Sequence, residues 1–316
     1  MRKLYVDYIK AIGIILVILG HINFANSHLG IKEWIYAFHM PLFFFATGLV
    51  IRQRKLDAEF LQKKFKVLII PYIIWGLIYS RLSLRNTAYI GYGSYETLSR
   101  AKTLTSLWFL PAMFFAVILT QLVFQICKKA YQRFVAMFIL GIAGINIPFI
   151  SIGYPLCIDV AVLAATFILF GFFIETILSN KSTVQIVIIT VVGATTTLLY
   201  RINEVQQSTN VLLAKRYTGN HILFFLVAIG GCLMVYGFSR LIDNGQNKKI
   251  ISFIGSNTLG IFAVHKPIII ICEKLFSYVK VPWYLTLPVC AVITLLVSCG
   301  IVLCINIYVP VLNGRK

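Results

Sequence analysis

The chain has 316 residues, of which 59% are hydrophobic and only 12% charged, with a mean hydropathy of +0.87. That balance excludes a water-soluble globular domain. The net charge of +19 reads as a topology signal rather than as nucleic-acid binding, because no aromatic-and-basic recognition module interrupts the apolar segments.

Apolar runs fall near 5–24, 31–51, 67–80, 106–126, 134–150, 155–178, 184–199, 221–239, 250–272 and 285–309. Each is read as a helix crossing a hydrocarbon layer of ~30 Å. The expected fold class is all-α: a polytopic membrane helical bundle of about ten transmembrane helices. Residues 1–316 make one membrane domain, with no appended soluble domain. Seventeen of the 29 Lys and Arg residues fall in segments on the side of the N-terminus and ten on the other. By the positive-inside rule both termini are cytoplasmic. The basic start followed by an apolar stretch also fits a signal peptide, but the rest of the chain is just as apolar.

The first run carries Asp7, Lys10 and His21, and ionisable groups in hydrocarbon mark a functional site by default. Eleven helical steps from Lys10 to His21 return to the same face about 16 Å further on. Asp7 lies three residues before Lys10, within pairing reach. The second run reads Phe38-His39-Met40-Pro41-Leu42-Phe43-Phe44-Phe45-Ala46-Thr47-Gly48-Leu49, with a proline that removes a backbone donor. The third follows the basic stretch RQRKLDAEFLQKKFK (52–66) and contains Ile70-Pro71-Tyr72. The fourth opens Leu107-Trp108-Phe109-Leu110-Pro111. The ninth reads Gly255-Ser256-Asn257-Thr258-Leu259-Gly260-Ile261-Phe262-Ala263-Val264-His265-Lys266-Pro267.

Broken helices at membrane depth survive where they line a cavity or are buried in protein, so these four elements imply an internal polar cavity. With both termini inside, His21, His39 and His265 all fall in the outer half of the membrane, a level consistent with a shared site. Taken singly, a buried histidine is more often a hydrogen-bonded core residue. The seven cysteines form no CxxC pair and read as small apolar residues. No HExxH, Walker A, GxSxG or strand-borne GxGxxG motif is present, and no metal site is expected.

In this order, Asp7 through Lys10-Ala11 to Leu19-Gly20-His21, then FHMPLFFFATGL, FLQKKFKVLIIPY, LWFLPAMFF and IGSNTLGIFAVHKP resemble the acyltransferase 3 family over essentially the whole chain. The resemblance implies an integral membrane O-acyltransferase of a bacterial cytoplasmic membrane, with acyl-CoA, chiefly acetyl-CoA, as donor and no bound cofactor. The acceptor it implies is a hydroxyl of a cell-surface polysaccharide or lipid-linked glycan. Lys10 and His21 occupy the places of the family's Arg and His, and Lys63 and Lys66 those of its basic pair before Pro-Tyr. Lys cannot form the bidentate phosphate fork of Arg. On this reading His21 is the general base, Lys10 with Asp7 holds the site, and Lys63 and Lys66 meet the donor's phosphates. His39, Trp108, Asn257 and His265 are candidates for the cavity or the acceptor. The competing class is a multi-helix transporter or flippase of a small or lipid-linked metabolite.

Overall fold

In so apolar a chain each segment must satisfy its own backbone N–H and C=O groups, which a helix does without a partner strand. The computed structural model describes residues 3–22, 31–101, 103–204, 212–216, 218–243, 249–279 and 282–315. It is all-helical, 83% helix with no strand among the described residues. The helices are α1 (Leu4–His21), α2 (Ile31–Gly48), α3 (Ala58–Lys64), α4 (Ile70–Ser80), α5 (Leu84–Tyr92), α6 (Tyr95–Leu98), α7 (Phe109–Ile126), α8 (Ala130–Asn146), α9 (Ile158–Leu178), α10 (Thr183–Glu204), α11 (His221–Ile242), α12 (Lys249–Ser256), α13 (Thr258–Val279) and α14 (Trp283–Tyr308). Among the described residues five spans are long and apolar enough to cross a membrane: Leu4–His21, Thr105–Ile126, Pro155–Leu178, His221–Ile242 and Tyr284–Tyr308. In the last only 22% of the apolar window is buried, as expected of a helix facing lipid.

The prolines behave unequally. α2 runs through Pro41 to Gly48 and α13 runs through Pro267, although each proline removes one rung of the ladder. Pro111 sits in the first turn of α7, after a 3-10 turn at Thr105–Trp108, where a missing N–H costs nothing. Pro71 follows a π turn at Phe65–Ile69 that joins α3 to α4, the local widening that absorbs an extra residue in a helix. The ninth run divides at Asn257, between α12 and α13. The segment between the third and fourth runs is not plain loop: it folds into α5 and α6, and Ser94 caps α6 by accepting from the Thr97 N–H at 3.1 Å.

The chain packs as two compact units. The first comprises Met1–Phe43, Leu178–Val211 and Thr218–Ile307, and the second Phe44–Ile177, Leu212–Tyr217 and Tyr308–Lys316. In the first, α1 packs on α11, α12 and α13, and α10 packs on α11. A methyl group added to Gly255 would collide with the backbone of Asp7, and one on Gly231 with the Phe38 ring. Gly193 lies against the Gly230 carbonyl and Met234, where a methyl would come within 2.5 Å and 2.6 Å. In the second unit a methyl on Gly48 would strike the Ile168 carbonyl and one on Gly171 the Phe45 carbonyl, while Gly144 lies on Leu163. These are the small-residue contacts that let helices associate in lipid. Phe124, Met137 and Leu169 form a buried cluster beside them.

Gly48→Ala therefore places a methyl against a backbone carbonyl that cannot move aside, an overpacking cost of about 1–3 kcal/mol. Gly91, on α5, has nothing within 4 Å of the same position. Thermal melting of the detergent-solubilised protein should fall clearly for Gly48→Ala and hold or rise for Gly91→Ala. Equal melting of the two variants would remove the close α2–α9 approach as a source of stability.

Candidate functional site

Within the first unit, the last turn of α1 meets the first half of α2. Gly20 makes this possible: a methyl there would sit 3.1 Å from Cε2 of Tyr36 and 3.3 Å from Cγ2 of Ile35. Beside that gap the Tyr36 Oη lies 2.9 Å from Nδ1 of His21, with the two rings edge to face. His265, wholly buried on α13, stacks on His21 with centroids 5.2 Å apart and planes 17° from parallel. His39, also buried, packs its ring 4.9 Å from that of Tyr36.

The hydrogen-bond partners define what each ring offers. A carbonyl oxygen only accepts, so Nδ1–H of His265 donates to Phe262 O at 2.6 Å, and Nδ1–H of His39 donates to Ile35 O at 2.9 Å. In the neutral rings Nε2 is then the lone-pair nitrogen. Nε2 of His265 is buried and has no hydrogen-bond partner among the described residues. Lys32 places its ammonium 5.8 Å from the centre of the Tyr36 ring, and Lys32 and Lys266 both act electrostatically on His21. Three histidines far apart in sequence thus lie in one cluster with Tyr36. Tyr36 and Gly20 were not singled out from the sequence. The available signal was Tyr36 lying three residues before His39, on the same helix face.

Asp7 and Lys10 stand at the other end of α1. Asp7 is buried and accepts from the Ser252 hydroxyl of α12 at 3.4 Å. Asn257 belongs to this end as well: its amide donates to Phe253 O at 2.7 Å and its Oδ1 accepts from Asn306 of α14 at 2.8 Å. It sits at the α12–α13 break, bonded to the turn before it and to α14.

The second unit contains a cavity of about 630 Å³ lined by Arg52, Arg54, Lys55, Lys63 and Lys64 against the carboxylates of Asp57 and Glu59. Asp57 is engaged as the cap of α3, accepting from the Phe60 N–H at 2.8 Å. Gln121 of α7 pins the loop above it, donating to Arg52 O and accepting from the Arg54 N–H, both at 2.9 Å. Lys63 lines this cavity. Lys66, the second residue of the π turn, is exposed and does not line this cavity.

The model of an acyltransferase domain, acyltransferase 3, matches residues 3–303. The chain belongs to the acyltransferase 3 family. No curated protein and no solved structure matches it. Family and apolar helices together make it a membrane protein, and the family supports an acyltransferase. Among its described residues no group of three or more His, Cys, Asp or Glu side chains could hold a metal ion.

Other polar and aromatic side chains of this acyltransferase 3 chain are engaged with protein partners. Trp108 is buried edge-on to Tyr95 and Phe109. Arg216, also buried, donates through Nε to Asp159 at 2.7 Å and through Nη1 to Ile147 O at 2.6 Å. Its Nη2 donates to Pro148 O at 3.3 Å. It caps the carbonyl end of α8 while Asp159 sits in the first turn of α9, so each charge meets the favourable end of a helix dipole. The exposed Tyr89 accepts from Arg85 Nε at 2.7 Å, and the Arg85 and Arg100 guanidiniums hold its phenol below the usual range.

Gln121→Leu keeps the bulk but removes both loop bonds. Limited trypsin digestion should then cleave after Arg52, Arg54 or Lys55 several-fold faster than in the parent protein. An unchanged rate would show that the loop is held by other contacts.

Proposed function

We propose that this chain is a membrane O-acyltransferase that moves an acetyl or other acyl group from cytosolic acyl-CoA to a hydroxyl of a cell-surface or exported polysaccharide, or of its lipid-linked precursor. It would work from the bacterial cytoplasmic membrane, crossing it about ten times with both termini inside. The observation that carries the reading is the stacked His21–His265 pair, with His21 Nδ1 engaged by Tyr36. An imidazole with one nitrogen oriented and the other open is the arrangement a general base needs. His21 would take the proton of the acceptor hydroxyl, and the freed oxygen would attack the thioester carbonyl. The C–S bond then breaks and the CoA thiolate leaves, recovering a proton to become CoA-SH. Nε2 of His265, which has no partner among the described residues, would accept a hydrogen bond from the bound acceptor.

The basic cavity is the counterpart for the donor, because acyl-CoA carries several phosphate charges and five cationic side chains line the wall. Lys63, which lines that wall, would meet them. Lys66 would act only at longer range. At the far end of α1, Lys10 and Asp7 would hold the helix that presents His21.

Labelled acetyl-CoA offered to permeabilised membranes and isolated envelope glycan tests the reading. Covalent label in the glycan supports the transferase, whereas uptake without covalent transfer means a carrier of a small or lipid-linked metabolite. His21→Ala should lower transfer by about 10²–10⁴ with normal amounts of protein in the membrane. Substantial acetylation by that variant would sink His21 as the base. Lys63→Gln should raise the KM for acetyl-CoA more than the KM for glycan, and Lys63→Arg should preserve it. Equal donor use by Lys63→Gln and the parent would take Lys63 out of the donor site.

A further inference from the structure

We infer that Tyr36 is the positioning residue that makes His21 a one-sided base, so that the acceptor's proton is taken at Nε2. This rests on the reading of His21 as the base. A neutral imidazole has one N–H and one lone pair, and the nitrogen that donates to a fixed partner leaves the other as the acceptor. The Tyr36 oxygen lies 2.9 Å from Nδ1 and can receive that N–H. No described residue is hydrogen-bonded to Nε2 of His21, which leaves this nitrogen for the substrate. When Nε2 takes the proton, the ring becomes cationic and its Nδ1–H bond to the phenol oxygen becomes charge-assisted, hence stronger. Tyr36 would then act mainly in the transition state and little in donor binding.

The rest of the cluster holds this bond in place. The His39 ring lies against the Tyr36 ring and is itself anchored by its Nδ1–H to Ile35 O. The missing side chain at Gly20 lets the Tyr36 ring approach α1. The His265 ring covers a face of His21 and resists rotation of its imidazole. His39, on this reading, supports Tyr36 and does not itself meet the acceptor.

Tyr36→Phe keeps the ring, its contact with His39 and its place over Gly20, and removes only the hydroxyl. In full-length protein reconstituted in lipid, with labelled acetyl-CoA and isolated envelope glycan, kcat should fall about ten- to a hundredfold, below the loss expected from removing the base itself. The KM for acetyl-CoA should stay within about twofold of the parent's, as for an interaction made in the transition state alone. Gly20→Ala, which pushes the Tyr36 ring away, should lower kcat in the same direction with the same donor KM. Parental kcat in Tyr36→Phe, or a loss confined to KM, would overturn the inference. If His21→Ala remains active, the base assignment fails and this inference with it. If His21→Ala is inactive and Tyr36→Phe is fully active, only the role of Tyr36 falls.

Discussion

Helices in hydrocarbon gain nothing from the hydrophobic effect when they touch one another, because lipid tails are as apolar as leucine. What can favour their contact is dispersion at very short range, and that requires backbones without side chains between them. The pairs Gly48–Gly171, Gly193–Gly230 and Gly255–Asp7 supply it, each with a carbonyl or backbone atom where a methyl would have to go. The imidazole cluster depends on the same constraint. Gly20 is the small residue next to His21, and a methyl there would press the Tyr36 ring a few tenths of an ångström away from the end of α1.

Much of this was legible in the chain. The apolar runs anticipate where helices form, because length and hydropathy report a local property. A common depth for the three histidines was legible as consistent with a shared site, from rise per residue and an expected topology. Tyr36 escaped because its one signal, a place three residues before His39 on the same face, is weak in so aromatic a helix. Its meaning comes from a nitrogen fifteen residues away on another helix. The short helices α5 and α6 escaped because they are polar enough to look like loop, and Ser94 stabilises α6 by a cap that hydropathy does not register.

The prolines show where pattern reading stops. Pro41, Pro71, Pro111 and Pro267 have the same missing donor. Yet one sits harmlessly in a first turn, one follows a π turn, and two lie in uninterrupted helices. The interruption of the ninth run is made by Asn257, whose side chain bonds both the preceding turn and Asn306. The basic pair also parts company with its spacing: Lys63 lines the basic cavity, while Lys66, in the π turn, does not. Gln121 was invisible for a different reason, since a lone amide in an apolar helix reveals nothing about the loop, 67 residues away in sequence, that it fastens.

The Arg216–Asp159 pair has a consequence for how the chain is made. Its partners are 57 residues apart, and the arginine also closes the open carbonyls that end α8. At a synthesis rate of about 5–20 residues per second, the aspartate and those carbonyls emerge several seconds before the guanidinium that satisfies them. During that interval an unpaired carboxylate at the head of α9 is too costly to sink into lipid. The ends of α8 and α9 must therefore wait in water or within the insertion machinery. The second unit can close only after the whole of α10 has followed, so the order of assembly differs from the order of synthesis.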